Sequence, residues 1–341
     1  HVPDQYKDLA PSDYVAGGES TRLVAFVDLA PTAISLAGVV PPENMQGVPF
    51  AGKYSGEPKP YLFGFRGRMD ERIDMVRSCT DGRYVYMRHF YPDRPYLKHV
   101  DYMFQTPTTR VWKELFDAGK LNEAQAKFWQ TKPVEELFDL QSDPSEVVNL
   151  AGRAEHADQV LKMRNAVQQW MVEILDCGLL PEAEMHRLAG DIPPRQFALE
   201  HPDLFARLAR LSFDALDPNS GLSVDDLVKS SADSQSGIRF WATRGLAIRP
   251  IDSTIESALQ VAADDPSPSV AIAACDGLLR STNSAVRQNA VDRLVELGNV
   301  ERVGHFAAIA AMNSLDMNAK LSDDDKAKIN ALPRGLKRPP A

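Results

Sequence analysis

Basic charge is in short supply: 38 Lys and Arg stand against 47 Asp and Glu, a formal net charge of −9 over 341 residues. A protein that tracks nucleic-acid phosphates carries the opposite balance, so that class is disfavoured unless a local patch supplies the cations. Long apolar runs are missing too. The longest, Phe306 to Met312, is seven residues, where roughly 18 are needed to read as a membrane span. Only three cysteines occur, Cys79, Cys177 and Cys275, and their wide spacing suits neither a disulfide framework nor a zinc cluster. The seven histidines show no His-x-x-x-His pattern, and no Gly-Lys-Ser/Thr phosphate loop, Gly-x-Ser-x-Gly elbow or Gly-x-Gly-x-x-Gly turn is present. The chain opens His1-Val2-Pro3, with neither an initiator Met nor a basic-then-apolar leader, so a processed end or a cut within a longer protein is expected.

What is present is a globular composition, 44% hydrophobic and 25% charged, long enough for two or three domains. Arg22-Leu23-Val24-Ala25-Phe26-Val27 reads as a buried strand, Asp28 as a helix N-cap and Leu29 to Ala37 as a helix stopped by Gly38. One strand and one helix cannot cover both faces of a parallel sheet. The runs Tyr61 to Phe65, Ile73 to Thr80, Arg83 to Phe90 and Glu135 to Leu140 read as antiparallel strands, with Asp81-Gly82 as a type I′ hairpin turn. Thr109 to Ala118, Asn122 to Trp129 and Ala157 to Leu175 read as helices. The last of these carries Val160, Met163, Val167, Trp170 and Ile174 on one face to cover the sheet.

Beyond Asp191-Ile192-Pro193-Pro194 the chain turns helical. Ser236-Gly237-Ile238-Arg239 leads into Phe240 to Leu246, and 32 residues later Pro268-Ser269-Val270-Ala271 leads into Ile272 to Leu278, with Ser284-Ala285-Val286-Arg287 opening once more. This pattern resembles HEAT-type repeats, in which stacked helix pairs bury a shared seam; coincidental amphipathic helices are the alternative. From Leu315 onward a loosely ordered tail is expected.

Two segments carry a sharper resemblance. Phe26-Val27-Asp28-Leu29-Ala30-Pro31-Thr32, with Leu36-Ala37-Gly38 and Met45-Gln46-Gly47, is similar to the segment that closes the catalytic domain of type I sulfatases. Glu136-Leu137-Phe138-Asp139-Leu140, with Asp143-Pro144, Glu146 and Asn149-Leu150-Ala151, is similar to that family's C-terminal signature. Phe65 to Arg72 lies between them as in heparan-sulfamidase-like bacterial members. The resemblance covers residues 1–190 and implies an α+β chain: the end of an alkaline-phosphatase-like α/β domain (1–60), a small antiparallel sheet covered by a long helix (61–190), then an α-helical repeat module (195–315) and the tail (316–341). It also implies hydrolysis of sulfate esters or sulfamates on sulfated saccharides, a periplasmic or extracellular setting, and formylglycine and calcium as the intact family's cofactors. Formylglycine is made in a Cys/Ser-x-Pro-x-Arg motif, and no such motif occurs here. Cys79-Thr80-Asp81-Gly82-Arg83 has Asp81 where Pro is required. No grouping of oxygen ligands for calcium is visible either.

The candidate substrate contacts are Arg66, Arg68, Asp70, Glu71 and His99. Guanidinium groups can grip a sulfate or carboxylate in bidentate fashion while Asp70 or Glu71 accepts sugar hydroxyls. His99 and the nearby aromatics can stack on sugar rings. The competing reading is a surface loop whose charges pair with one another, beside aromatics used for packing. A second functional class stays open: a non-catalytic helical-repeat module that binds or scaffolds a protein partner.

Overall fold

The computed structural model describes residues 2–318 and 320–333. In chain order its elements are α1 (Leu29–Leu36), β1 (Leu62–Met69), β2 (Arg72–Thr80), β3 (Tyr84–His89), α2 (Asp101–Phe104), α3 (Pro107–Asp117), α4 (Glu123–Ala126), β4 (Glu135–Asp139) and α5 (Ala157–Glu173). The helices α6 (Glu182–Ala189), α7 (Pro194–Glu200), α8 (Pro202–Leu216), α9 (Val224–Ser230), α10 (Ser236–Ile248), α11 (Ser253–Ala262), α12 (Pro268–Leu278), α13 (Ser284–Leu297), α14 (Val300–Val303), α15 (His305–Asn318) and α16 (Asp323–Asn330) follow. The described residues make a helix-rich α+β chain with a four-stranded sheet of order β1-β2-β3-β4. β3 and β4 run antiparallel, with Tyr84 opposite Asp139 and Arg88 opposite Glu135.

The chain divides into two compact units: residues 1–65, 77–88 and 135–167 form the first, and 66–76, 89–134 and 168–341 the second. In the first, Met163 and Val167 of α5 are fully buried and the Cys79 thiol on β2 meets the Met163 carbonyl at 3.7 Å. The helix therefore covers the sheet as its apolar face predicts. The opening segment departs from expectation. Residues 22–25 form no strand and Phe26–Asp28 is a 3-10 turn. A strand exists only by pairing, and among the described residues nothing pairs with this run. Phe26 is 89% exposed, and Val27, Leu29, Leu36, Val39 and Val40 are exposed as well. At the Asp81-Gly82 hairpin only Gly82 has a positive φ, 94°, so the connection is not type I′, which needs two. Instead the Asp81 carboxylate accepts the amides of Arg83 and Tyr84 at 3.0 and 2.7 Å.

In the second unit α10 packs against both α8 and α12. Gly245 and Gly277 sit where these helices cross: a Cβ added at either would stand 2.9 Å from the Cβ of Ala215 or Ala247. Trp241 anchors α10, its indole N–H donating to the Leu179 carbonyl at 2.7 Å, with Phe90 edge-on at 5.7 Å. The expected loose tail begins inside α15. It continues as α16, whose Ser322 and Asp325 form a reciprocal capping box, so the run Asp323-Asp324-Asp325 is a helix start. Residues 334–341 lie outside the described residues.

Candidate functional site

The charged stretch from Arg66 to Asp74 is not a loop. Arg66 and Arg68 lie on β1, Arg72 and Asp74 on β2, and Asp70-Glu71 make the turn, with Asp70 held at φ 47°. Residues two apart on a strand share a face, which sends Arg72 and Asp74 to the buried side together. Arg72 donates from Nε to the His99 carbonyl and from Nη1 to Asp316 Oδ2 at 2.7 Å. The Glu71 carbonyl accepts from Asn313 Nδ2 at 2.8 Å, so the start of β2 is tied to neighbouring segments.

The five sequence candidates separate. Arg66 is spent on Asp74. Arg68 is half-exposed and reaches Glu182 at 3.2 Å. Asp70 and Glu71 present exposed side chains at the turn. His99 stacks on Phe104 with ring centroids 4.2 Å apart, its Nε2 3.0 Å from Asp101 Oδ1, so its ring is already engaged. The exposed charges at the hairpin tip are therefore Arg68, Asp70 and Glu71.

Sequence reading missed the centre of the cluster. Asp74, buried, accepts from Lys98 Nζ at 2.9 Å and from Lys132 Nζ at 2.8 and 3.0 Å, besides Arg66. One carboxylate thus serves three cations. Burial alone would raise the Asp74 carboxyl, but the charges of Lys132 and Lys98 overcome it and hold the group well below the ordinary carboxylate range. The lysines are not compensated equally. Burial, aided by the charge of Lys132 and resisted by Asp74, brings Lys98 down to about 7, and burial lowers Lys132 as well. The sequence signal was the spacing of Arg72 and Asp74, two apart on one face of β2.

The two segments that carry the sulfatase resemblance are backbone staples. Asp28 is not a side-chain N-cap: its Oδ1 accepts from the Val48 amide at 2.8 Å and from Lys59 Nζ at 2.6 Å, and its Oδ2 from the Ala25 amide at 2.9 Å. Thr32 Oγ1 accepts the Phe50 amide and Ser35 Oγ the Tyr54 amide. Gly47 passes so close to the Val27 carbonyl that any Cβ would collide with it. Downstream, Asn149 extends the β4 edge with its side chain, accepting the Leu137 amide at 3.0 Å and donating to the Glu135 carbonyl at 3.0 Å. Asp139 pairs with both ends of the Arg83 guanidinium at 3.1 and 2.8 Å. Nearby, Glu135 accepts from Arg164 Nε at 2.6 Å and from Tyr86, with Arg88 at 3.2 Å.

None of these residues is a nucleophile. Cys79 is buried and burial pushes its thiol up to about 12, far from the thiolate a catalytic cysteine needs. Among the described residues no group of three His, Cys, Asp or Glu side chains is placed to hold a metal ion. No described helix is long and apolar enough to cross a membrane.

No protein-family model matches the chain. Two ulvan-active sulfatases of Formosa agariphila do: one is 36% identical over 176 residues, 51% of this chain and 30% of that protein. The resemblance is to the sulfatase family, in its C-terminal portion. The other sulfatase is 30% identical over 161 residues, 46% of this chain and again 30% of its own length. The chain thus spans less than a third of the length of these curated sulfatases. A solved 2-O GAG sulfatase is 18% identical, covering 50% of this chain and 28% of that chain, at a TM-score of 0.29, too low to carry an argument.

Proposed function

We propose that the chain is the C-terminal portion of a sulfatase that hydrolyses sulfate esters or sulfamates on sulfated saccharides, outside the cytoplasm. The observation that carries this reading is the 36% identity over 176 residues to an ulvan-active sulfatase. In this reading residues 1–60 are the end of an alkaline-phosphatase-like catalytic domain, and the exposed apolar side chains around Phe26 meet the rest of that domain. Residues 61–190 form the antiparallel-sheet subdomain. The nucleophile and the calcium ligands belong to the remainder of the enzyme, and this chain supplies structural and substrate-side elements.

The substrate-side element is the β1–β2 hairpin tip. Arg68 can grip a sulfate or carboxylate, and Asp70 and Glu71 can accept sugar hydroxyls; their exposure supports this role. Arg66 and His99, already engaged, serve it by holding the hairpin in place. The helices of residues 195–315 are read as HEAT-like repeats with a surface for a protein partner, supported by Gly245 and Gly277, which stand 32 positions apart at equivalent helix crossings.

The test is to place Arg68→Ala and Glu71→Gln in the intact parent enzyme and compare kcat/KM on saccharides sulfated at different positions. Loss of one charged contact should change the preference by about tenfold. Thermal stability should barely move, because the exposed Arg68–Glu182 pair contributes no more than ~1 kcal/mol. An unchanged substrate preference would remove the hairpin from substrate selection.

A further inference from the structure

A cavity of about 250 Å³ lies wholly within the second unit, lined from β1, β2, α6, α10, α12 and α15. Its walls are mostly apolar, Ile73, Met75, Phe240, Trp241, Phe306 and Ile309 among them. At its polar end stand Tyr91, Arg94 and Arg244. The two guanidinium groups lie over the Tyr91 ring, 5.2 and 4.6 Å from its centroid. Arg94 donates to Asp276 Oδ2 at 2.6 Å and Arg244 to Asp93 Oδ1 at 2.6 Å. Each arginine nevertheless keeps a buried Nε–H with no partner, although their side chains are only 4% and 1% exposed. Buried donors of this kind are uncommon in folded proteins and call for an acceptor.

Charged side chains of both signs surround the cavity. Arg68, Arg94 and Arg244 face it, together with Glu182, Asp276 and Asp74. Asp74 is shared by Arg66, Lys98 and Lys132, and Arg244 also pairs with Asp93. The carboxylates Asp276 and Asp93 balance the charges of Arg94 and Arg244, and the two unpartnered Nε–H donors are what favour an acceptor, an anion above all. The small volume, below the roughly 300–1,000 Å³ of drug-sized pockets, suits a short ligand.

We propose that this cavity binds a small organic anion with an apolar body, an aliphatic or aryl monocarboxylate, its carboxylate directed to Tyr91, Arg94 and Arg244 and its tail lying along Trp241 and Phe306. No residue of the hairpin tip is required, and the assignment does not rest on the sulfatase reading.

Isothermal titration calorimetry on the full chain tests it with octanoate, using octanol and acetate as comparators lacking the charged head or the tail. Octanoate should bind saturably and at least about tenfold more tightly than either comparator, the difference that a charge-assisted hydrogen bond supplies. Ala310→Trp, which fills the cavity, should abolish octanoate binding. Tyr91→Phe, which keeps the shape and removes the hydroxyl, should weaken octanoate about tenfold and leave octanol unchanged; it decides the matter if the tryptophan variant does not fold. Equal affinity for octanol and octanoate, absence of saturable octanoate binding, or octanoate binding unaltered in Tyr91→Phe would each overturn the proposal.

Discussion

Two carboxylates, half-buried Glu135 in the first unit and buried Asp74 in the second, solve the same problem in different ways. Glu135 opens β4 in the first unit, and its partners are Arg88, Arg164 and Tyr86. Asp74 lies on β2 in the second, and two of its three cations are lysines. Around Glu135 burial opposes ionisation, but the hydrogen bond from Arg164 and the charge of Arg88 keep the carboxyl lowered. Its arginines cannot surrender their protons in any accessible range. Around Asp74 a single carboxylate is divided among more positive charge than it can balance, and Lys98 falls to about 7. The contrast shows what choice of cation does in a buried cluster. Arginine gives a fixed charge, whereas lysine yields to burial and becomes titratable near neutrality.

The largest effect should come from breaking the poorer-balanced cluster. Asp74→Asn leaves Lys98 and Lys132 buried without a counter-charge and should lower the unfolding free energy by about 3–5 kcal/mol. Glu135→Gln should cost less, about 1–3 kcal/mol, because Arg164 is a third exposed and can regain water. Denaturant titrations of the two variants check the order, and equal losses would break the comparison.

A smaller effect sharpens it. The Lys98 ammonium, ordinarily near 10.5, is held at about 7 in the folded chain. Between those values the unfolded chain carries a proton that the folded chain has released, so this group makes stability rise with pH over that window and imposes its full penalty below about 7. Lys98→Met should flatten the rise. Asp74 works at the other end: its lowered carboxyl contributes stability present above about pH 4 and lost in acid. Melting temperatures between about pH 7 and 10.5, in the parent chain and in Lys98→Met, make the measurement. An identical slope in both would contradict the assignment to Lys98.

Parts of the molecule were legible in the sequence for definite reasons. Strands β2, β3 and β4 and helix α5 follow from the β-branched and aromatic runs and from the apolar face of Val160, Met163 and Val167, patterns that each segment carries by itself. Asp28, Gly47 and Asn149 stand out as family-like because each meets a backbone demand that few residue types satisfy: stapling amides, admitting a carbonyl, or extending a strand edge. The Asp74 cluster was not legible. Its lysines join the carboxylate from 24 and 58 positions away, and no local pattern announces such a meeting. The run from Arg22 to Val27 was misread because an apolar segment is a strand only when a neighbour pairs with it. The exposure of Phe26 shows that none does among the described residues.

Under the proposed function, this polypeptide is the C-terminal portion of a larger sulfatase and hydrolysis needs the remainder of the enzyme. Sulfate release from a sulfated polysaccharide, measured side by side for the 341-residue chain and for the intact parent enzyme, tests it most directly. The account predicts turnover by the parent and none by the chain. Sulfate released by the chain alone would contradict it.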